Sequence, residues 1–337
     1  MREGGLPGRF RRERHANDMG TGGEPMVSEP SISQRAVARP ARRVSAVGAY
    51  VGLLAITLLG CLADPASAQR ITVRLDTGIS SDNNVNRSFD YTHRALADQS
   101  AFADLNASMA LPLSERIRLV LGGVVGGEKF FEFEGLSRVS VGGSASLQFR
   151  PSGSFGAPTW SLFARTAADS YQSNLRDGYR HSFGLSVRKP LTDAIEGSLA
   201  AQYNIRDGKS AVFDNRDWAA KLNLDYNIFG RSTLYVGAEY RNGDAVSSGP
   251  ISFGILSLAK ALVFDDVFTD QNLVAYKLKA ETLIATVGYN VPIGQRYALD
   301  LSYRYVRTTP TEHSSAIAVA NPRYTANLVT LSFLVRF

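Results

Sequence analysis

The chain has 337 residues, with 37 Lys and Arg against 31 Asp and Glu, a formal charge of +6 and a single cysteine. One cysteine excludes a disulfide framework, and none of the four histidines stands at zinc-ligand spacing. The positive balance belongs to the start: residues 1–69 hold nine Arg and six acidic residues, leaving 28 basic and 25 acidic groups, so charge gives no argument for nucleic acid.

Residues 1–44 are rich in Arg, Gly, Pro and Ser and have no sustained apolar period. Arg39, Arg42 and Arg43 then precede an apolar run from Val47 to Leu62, followed by Ala66, Ser67 and Ala68. A basic flank, an apolar core and small residues at the end form a secretory signal. The run is also shorter than the ~20 residues of a spanning helix. Cleavage is expected after Ala68, with 1–68 an N-terminal extension plus cleavable signal peptide and 69–337 the mature domain. Met19 and Met26 are alternative starts. Cys61 follows Leu58, Leu59 and Gly60 in the manner of a lipoprotein box, a competing processing site.

Beyond the leader the dominant signal is alternation of apolar and polar residues, the period of a half-buried strand. Strands are predicted over 70–79, 99–111, 116–128, 138–150, 159–170, 179–189, 195–206, 216–228, 232–242, 275–290, 296–308 and 324–337. Within 216–228, Trp218, Ala220, Leu222, Leu224 and Tyr226 fall on one face and Lys221, Asn223 and Asp225 on the other. Short Pro- and Gly-bearing turns (Leu111–Glu115, Pro151–Pro158, Lys189–Asp193, Phe229–Ser232, Val291–Gln295) alternate with longer polar connections. The expected fold is therefore all-β: a transmembrane antiparallel up-and-down β-barrel of about twelve strands, ten or fourteen being the alternatives. Apolar faces begin or end in Tyr203, Tyr226, Tyr289, Tyr297 and Phe337, as interfacial aromatic girdles do. A mean hydropathy of −0.10 agrees with barrel strands, whose signal is weaker than that of helices.

Within this frame, the polar faces supply lumen and selectivity candidates: Arg118, Arg150, Arg165, Arg188, Arg206, Arg241, Asp300 and Arg304. Arg–acid ladders would brace a narrow lumen, whereas an excess of Arg would favour anions. Residues 244–274 form the longest connection, and the stretch 251–268 is too apolar to stay a solvated coil. It is expected to plug the mouth or lie as a short amphipathic helix, with Phe253, Phe264, Asp265 and Asp266 as gating-loop candidates. Asp265, Asp266 and Asp270 lack the ligand spacing and glycine of a calcium loop, so no metal is assigned. The segment Asp82-Asn83-Asn84-Val85-Asn86-Arg87 reads as an Asx-rich turn. Its form also resembles the opening of barrels of surface lipoprotein assembly modulators and of polysaccharide export.

The last strand, Tyr324 to Phe337, places Val329, Leu331, Phe333, Val335 and Phe337 on one apolar face. A final amphipathic strand closing on Phe resembles the assembly signal of bacterial outer-membrane β-barrels, with Phe333, Val335 and Phe337 carrying it. The resemblance implies residence in the outer membrane of a Gram-negative bacterium, contact with its lipids, and insertion by the barrel assembly machinery. No catalytic residues, cofactor or phosphate-cradling glycine motif are found, and no nucleic-acid partner is expected. The expected function is a passive, porin-like conduit favouring small anionic solutes. The alternative is a non-conducting barrel with a structural, assembly or lipoprotein/polysaccharide export role.

Overall fold

The computed structural model describes residues 71–92, 94–228, 232–312 and 323–337, without the side chains of Tyr91, Phe253 and Ile255. The leader, Cys61, His93, His313 and part of the 229–232 turn lie outside the described residues.

Among the described residues thirteen strands form one antiparallel sheet: β1 (Ile71–Asp82), β2 (Asp98–Pro112), β3 (Ile117–Phe130), β4 (Arg138–Phe149), β5 (Thr159–Tyr171), β6 (Gly178–Pro190), β7 (Ile195–Gly208), β8 (Asn215–Ile228), β9 (Ser232–Gly249), β10 (Ala261–Phe264), β11 (Val274–Ile293), β12 (Tyr297–Pro310) and β13 (Tyr324–Arg336). The sheet closes where β13 pairs with β1, Arg74 opposite Arg336 through Asp82 opposite Leu328. β9 pairs directly with β11, so β10 stands outside the ring and twelve strands make the barrel. Closure gives every spanning strand two partners, the condition for placing backbone N–H and C=O groups in hydrocarbon. No helix among the described residues is long and apolar enough to cross a membrane.

Register fixes the faces. Leu75, Leu105, Val125 and Val141 stand opposite one another in successive strands, as do Tyr289, Leu301 and Leu331. All point outward. Leu162, Leu199 and Leu301 are 61%, 53% and 54% exposed, members of an apolar band that runs round the wall. Such a band far exceeds the exposed patches of soluble proteins and is stable only against lipid. Aromatics edge it: Phe149, Trp160, Tyr226 and Tyr297 near the short turns, Tyr179, Trp218 and Tyr240 toward the long loops. His181 stands on this outer face in β6, its Nδ1 2.9 Å from Thr166 Oγ1.

The inner face is polar, and side chains from neighbouring strands interlock on it in places. A Cβ at Gly288 would stand 2.2 Å from Tyr235 Cζ. The missing side chain lets the Tyr235 ring lie along the wall and donate to Asp300 Oδ1 at 2.9 Å.

The long connection departs from the sequence reading. Strands were predicted to end at 242 and resume at 275, yet β9 runs to Gly249 and β11 begins at Val274. Between them lie a six-residue helix α1 (Phe253–Leu258) and β10, which pairs with β11 from Ala261 opposite Lys277 to Phe264 opposite Val274. The polar run at 243–249 hides the strand, since its ladder partner is supplied by β11 rather than announced by alternation.

Candidate functional site

The neighbours of the β9–β11 hairpin end together. The last β8–β9 pair is Asp217 with Gly243, and the last β11–β12 pair is Ala280 with Pro310. A Cβ at Gly243 would meet Arg216 O at 2.3 Å, so only glycine lets β9 pass that close to β8. Beyond this level the hairpin leaves the wall, and its residues become buried rather than exposed: Val274, Ala275, Tyr276 and Leu278 are all at most 3% accessible. Their burial comes from folding over the barrel mouth as a lid.

Contacts with four loops place the lid across the opening. On the β1–β2 side, Ser248 N–H donates to Asn86 O at 2.8 Å and Asn86 Nδ2 returns a bond to Ser248 O at 3.1 Å. Phe89 lies beside Tyr276, ring centroids 6.1 Å apart. The platform is the Asx-rich segment. Asn84 N–H donates to Asp82 Oδ1 at 2.9 Å, the Asx turn expected, and Asn84 Nδ2 reaches Thr325 O at 2.8 Å. Arg87, with φ +53, donates to both carboxylate oxygens of Asp82 at 2.9 and 2.6 Å. Burial alone would lower the Arg87 pKa, but the Asp82 carboxylate outweighs it and the group titrates above its ordinary value.

Across the mouth, Phe133 of the β3–β4 loop packs edge-on against Phe268, 4.9 Å between centroids. From the β5–β6 loop, Arg176 donates to Asp265 Oδ1 at 2.9 Å and Oδ2 at 2.7 Å, and to Asp266 Oδ1 at 3.3 Å. Asp265 also accepts from Ser248 Oγ and from Val267 N–H, while Ser173 Oγ donates to Asp266. Arg176 and Asp265 side chains are 7% and 0% exposed. A charge pair that deep is tolerable only because its bonds are satisfied. From the β7–β8 loop, Val212 and Phe213 pack on Ala275 and Val263.

Of the gating-loop candidates, Asp265 and Asp266 stand in this ion cluster. Phe264 does not stand with them: it is 72% exposed on β10, because alternation turns Val263 inward and Leu262 and Phe264 away. Phe253 opens α1, and its side chain lies outside the described part.

Below the lid, register places Arg118, Arg165, Arg188, Arg206, Arg241, Asp300 and Arg304 on the inner face. Arg150 is a correction. β4 ends at Phe149, so Arg150 stands one residue past the strand and donates to Ser154 O at 3.0 Å within the short turn. Much of the inner charge is paired: Arg138 with Glu128 at 3.3 Å, Arg188 with Glu196 at 3.2 Å, Lys221 with Glu239 at 3.4 Å, and Arg180 and Arg241 with Asp169 and Glu239. Among the described residues, Arg118, Arg165, Arg206 and Arg304 have no acidic partner. Arg118 bonds Gln148, and Arg165 lies 4.9 Å over the Phe163 ring.

The charge is also unevenly spread. A cavity of about 670 Å³ along β2–β9 is lined by five cations (Arg165, Arg180, Arg206, Lys221, Arg241) and two carboxylates, Asp217 and Asp244. A second, of about 530 Å³ and lined mainly from β1–β6 and β12–β13, has Asp76, Asp104 and Glu128 against Arg138, Arg180 and Arg304. The first cavity leans positive and the second is balanced.

Arg176, Ser173 and Ser248, which hold the lid, escape sequence reading because each partner lies far along the chain. Lys221 could have been found, since strand parity places it opposite Trp218 and Leu222.

No family model matches the chain, and no curated protein matches it. Among solved structures, it is similar to an outer membrane channel from Pseudomonas putida F1, at 14% identity and TM-score 0.51, over 82% of this chain and all of that one. It also matches the NanC porin at 6% identity and TM-score 0.42, over 77% and 98% of the two chains. The KdgM porin in complex with disordered oligogalacturonate matches at 9% identity and TM-score 0.41, over 78% and 99%. The fold is that of a bacterial outer-membrane β-barrel, with twelve strands as the sequence implies.

Proposed function

We propose that this barrel is a lidded, porin-like conduit of the outer membrane whose lumen favours small anionic solutes. The observation that carries the reading is the larger cavity, where Arg180, Lys221 and Arg241 are held by Asp169 and Glu239 but Arg165 and Arg206 have no acidic partner among the described residues. A polar lumen excludes little but charge, and cationic rings at close quarters favour anions. The solved channel from Pseudomonas putida supports the fold of this reading, not its solute.

The second reading, a non-conducting barrel with a structural or assembly role, is favoured by the lid, whose Arg176–Asp265 pair is buried and bonded through both carboxylate oxygens. One experiment separates them: single-channel recording of the refolded protein in a planar bilayer under a KCl gradient. The conduit gives discrete openings with a reversal potential of anionic sign, moved toward zero by Arg165→Ala together with Arg241→Ala. A barrel that migrates as folded yet stays electrically silent assigns the second reading.

A further inference from the structure

One residue joins the lumen to the lid. Arg176 belongs to the loop between β5, which ends at Tyr171, and β6, which begins at Gly178. Its guanidinium grips Asp265 of the lid through both carboxylate oxygens, at 2.9 and 2.7 Å. Its backbone carbonyl is held from the lumen side, where Arg206 Nη2 donates to Arg176 O at 3.0 Å. Arg206 lines the larger positive cavity and also a smaller chamber of about 240 Å³ that reaches Val246, Ser248 and Phe268 of the lid. Among the described residues the other cations of the larger cavity are engaged elsewhere. Arg180 bonds Asp169 and Ser140, Lys221 and Arg241 meet Glu239, and Arg165 lies over the Phe163 ring. Arg206 is thus the cation of that cavity that touches the loop holding the lid.

We propose that the lid is solute-coupled: a small carboxylate in the lumen draws Arg206 away from Arg176 O, which loosens the grip of Arg176 on Asp265 and favours opening. A carboxylate is the stronger acceptor for a guanidinium, since it adds a charge and a second oxygen to what a carbonyl offers. Nη2 belongs to both forks through which a guanidinium grips a carboxylate, so a bidentate grip competes with the bond to Arg176 O. The anion therefore binds the open state more tightly than the closed one, the condition for shifting the lid at all. What is freed is short. Asp177, the next residue, stays tied by Lys209 Nζ at 2.8 Å and by the Tyr171 N–H at 2.6 Å. The Arg176 guanidinium also lies 4.5 Å from the Phe213 ring centroid, and Phe213 packs on Ala275 of the lid, so a shift of Arg176 disturbs that contact as well as the ion pair. The coupling rests on the conduit reading for the path by which the anion arrives.

The test is amide exchange of the full refolded barrel in detergent, in sodium D-gluconate and in sodium chloride at equal ionic strength. Two amides report the closed state: Ser248, bonded to Asn86 O across the mouth, and Ser173 of the β5–β6 loop, bonded to Gly135 O. Their exchange rises with the open population. Gluconate is expected to speed both several-fold over chloride in the parent. Arg206→Met, which removes the donor, is expected to exchange about tenfold faster than the parent in chloride, the loss of one bond from a charged group, and to show no further response to gluconate. Heat-modifiable migration verifies folding. Equal rates in the two salts for the folded parent overturn the coupling, and this arm needs no variant. An Arg206→Met barrel that still responds to gluconate, or whose chloride rates match the parent's, overturns it as well. Coupling and conduit fail separately: anion-selective conductance with the same exchange in both salts removes only the coupling. Gluconate-driven exchange in an electrically silent barrel removes only the conduit.

Discussion

The clearest perturbation of the lid is Asp265→Asn. The substitution keeps the shape of the side chain and removes its charge, leaving Arg176, 7% exposed, without the partner it contacts at 2.7 and 2.9 Å. Removing one member of a buried pair costs about 3–5 kcal/mol, chiefly by stranding the other charge. Asp266 remains 3.3 Å from Arg176 and offsets part of this, so the low end applies, about 3 kcal/mol. The penalty is relieved when the lid lifts and water reaches the guanidinium, so the open population should rise by roughly two orders of magnitude. The contacts at Asn86, Phe89 and Phe133 still favour closure, so the parent lid should be shut most of the time. Two assays read the change: hydrogen exchange at Ser248, whose amide is bonded to Asn86 O in the closed lid, and open probability in planar bilayers. Faster exchange confined to 244–274 with more frequent openings is the expected result. Unchanged protection there in a folded variant would refute the latch.

Two further predictions concern assembly and acid. Phe337→Ala should lower the yield of heat-modifiable barrel in the membrane without changing the stability of protein refolded in detergent, because the ring is 70% exposed while its N–H bonds Val73 O at 3.0 Å; equal membrane yield would remove the terminal signal. In the β5–β6 loop, burial pushes the Asp177 carboxyl up, but Lys209 Nζ at 2.8 Å and the Tyr171 N–H outweigh it and hold it below 3.8. A depressed folded value stabilises the loop above the ordinary carboxyl range and loses that contribution as pH falls through the folded value. Lys209 is 61% exposed, which limits the effect to about 0–1 kcal/mol. Asp177→Asn should flatten the acid-side increase in amide exchange over 172–177; an equally steep increase in the variant would assign it to another group.

Alternation by itself determined the wall. Residues such as Leu222, Lys221, Leu301 and Asp300 fall on opposite faces by the period of two, and twelve such segments with short turns and long loops specify a closed barrel with polar inside and apolar outside. Parity alone also placed Arg165, Arg206, Arg241 and Arg304 on the inner face. What it could not give is which of them pairs, because Arg188 meeting Glu196 and Arg165 resting on Phe163 depend on register between strands and on side-chain reach. Arg150 failed for a related reason, one residue past the last ladder pair, where parity no longer governs direction. The lid was legible only as an apolar connection too long to stay solvated. Its closure is decided by Arg176 meeting Asp265, 89 positions away, and by Asn86 meeting Ser248, 162 away. A local period carries no information about such partners; only the closed ring, by setting its loops face to face across one opening, brings them together.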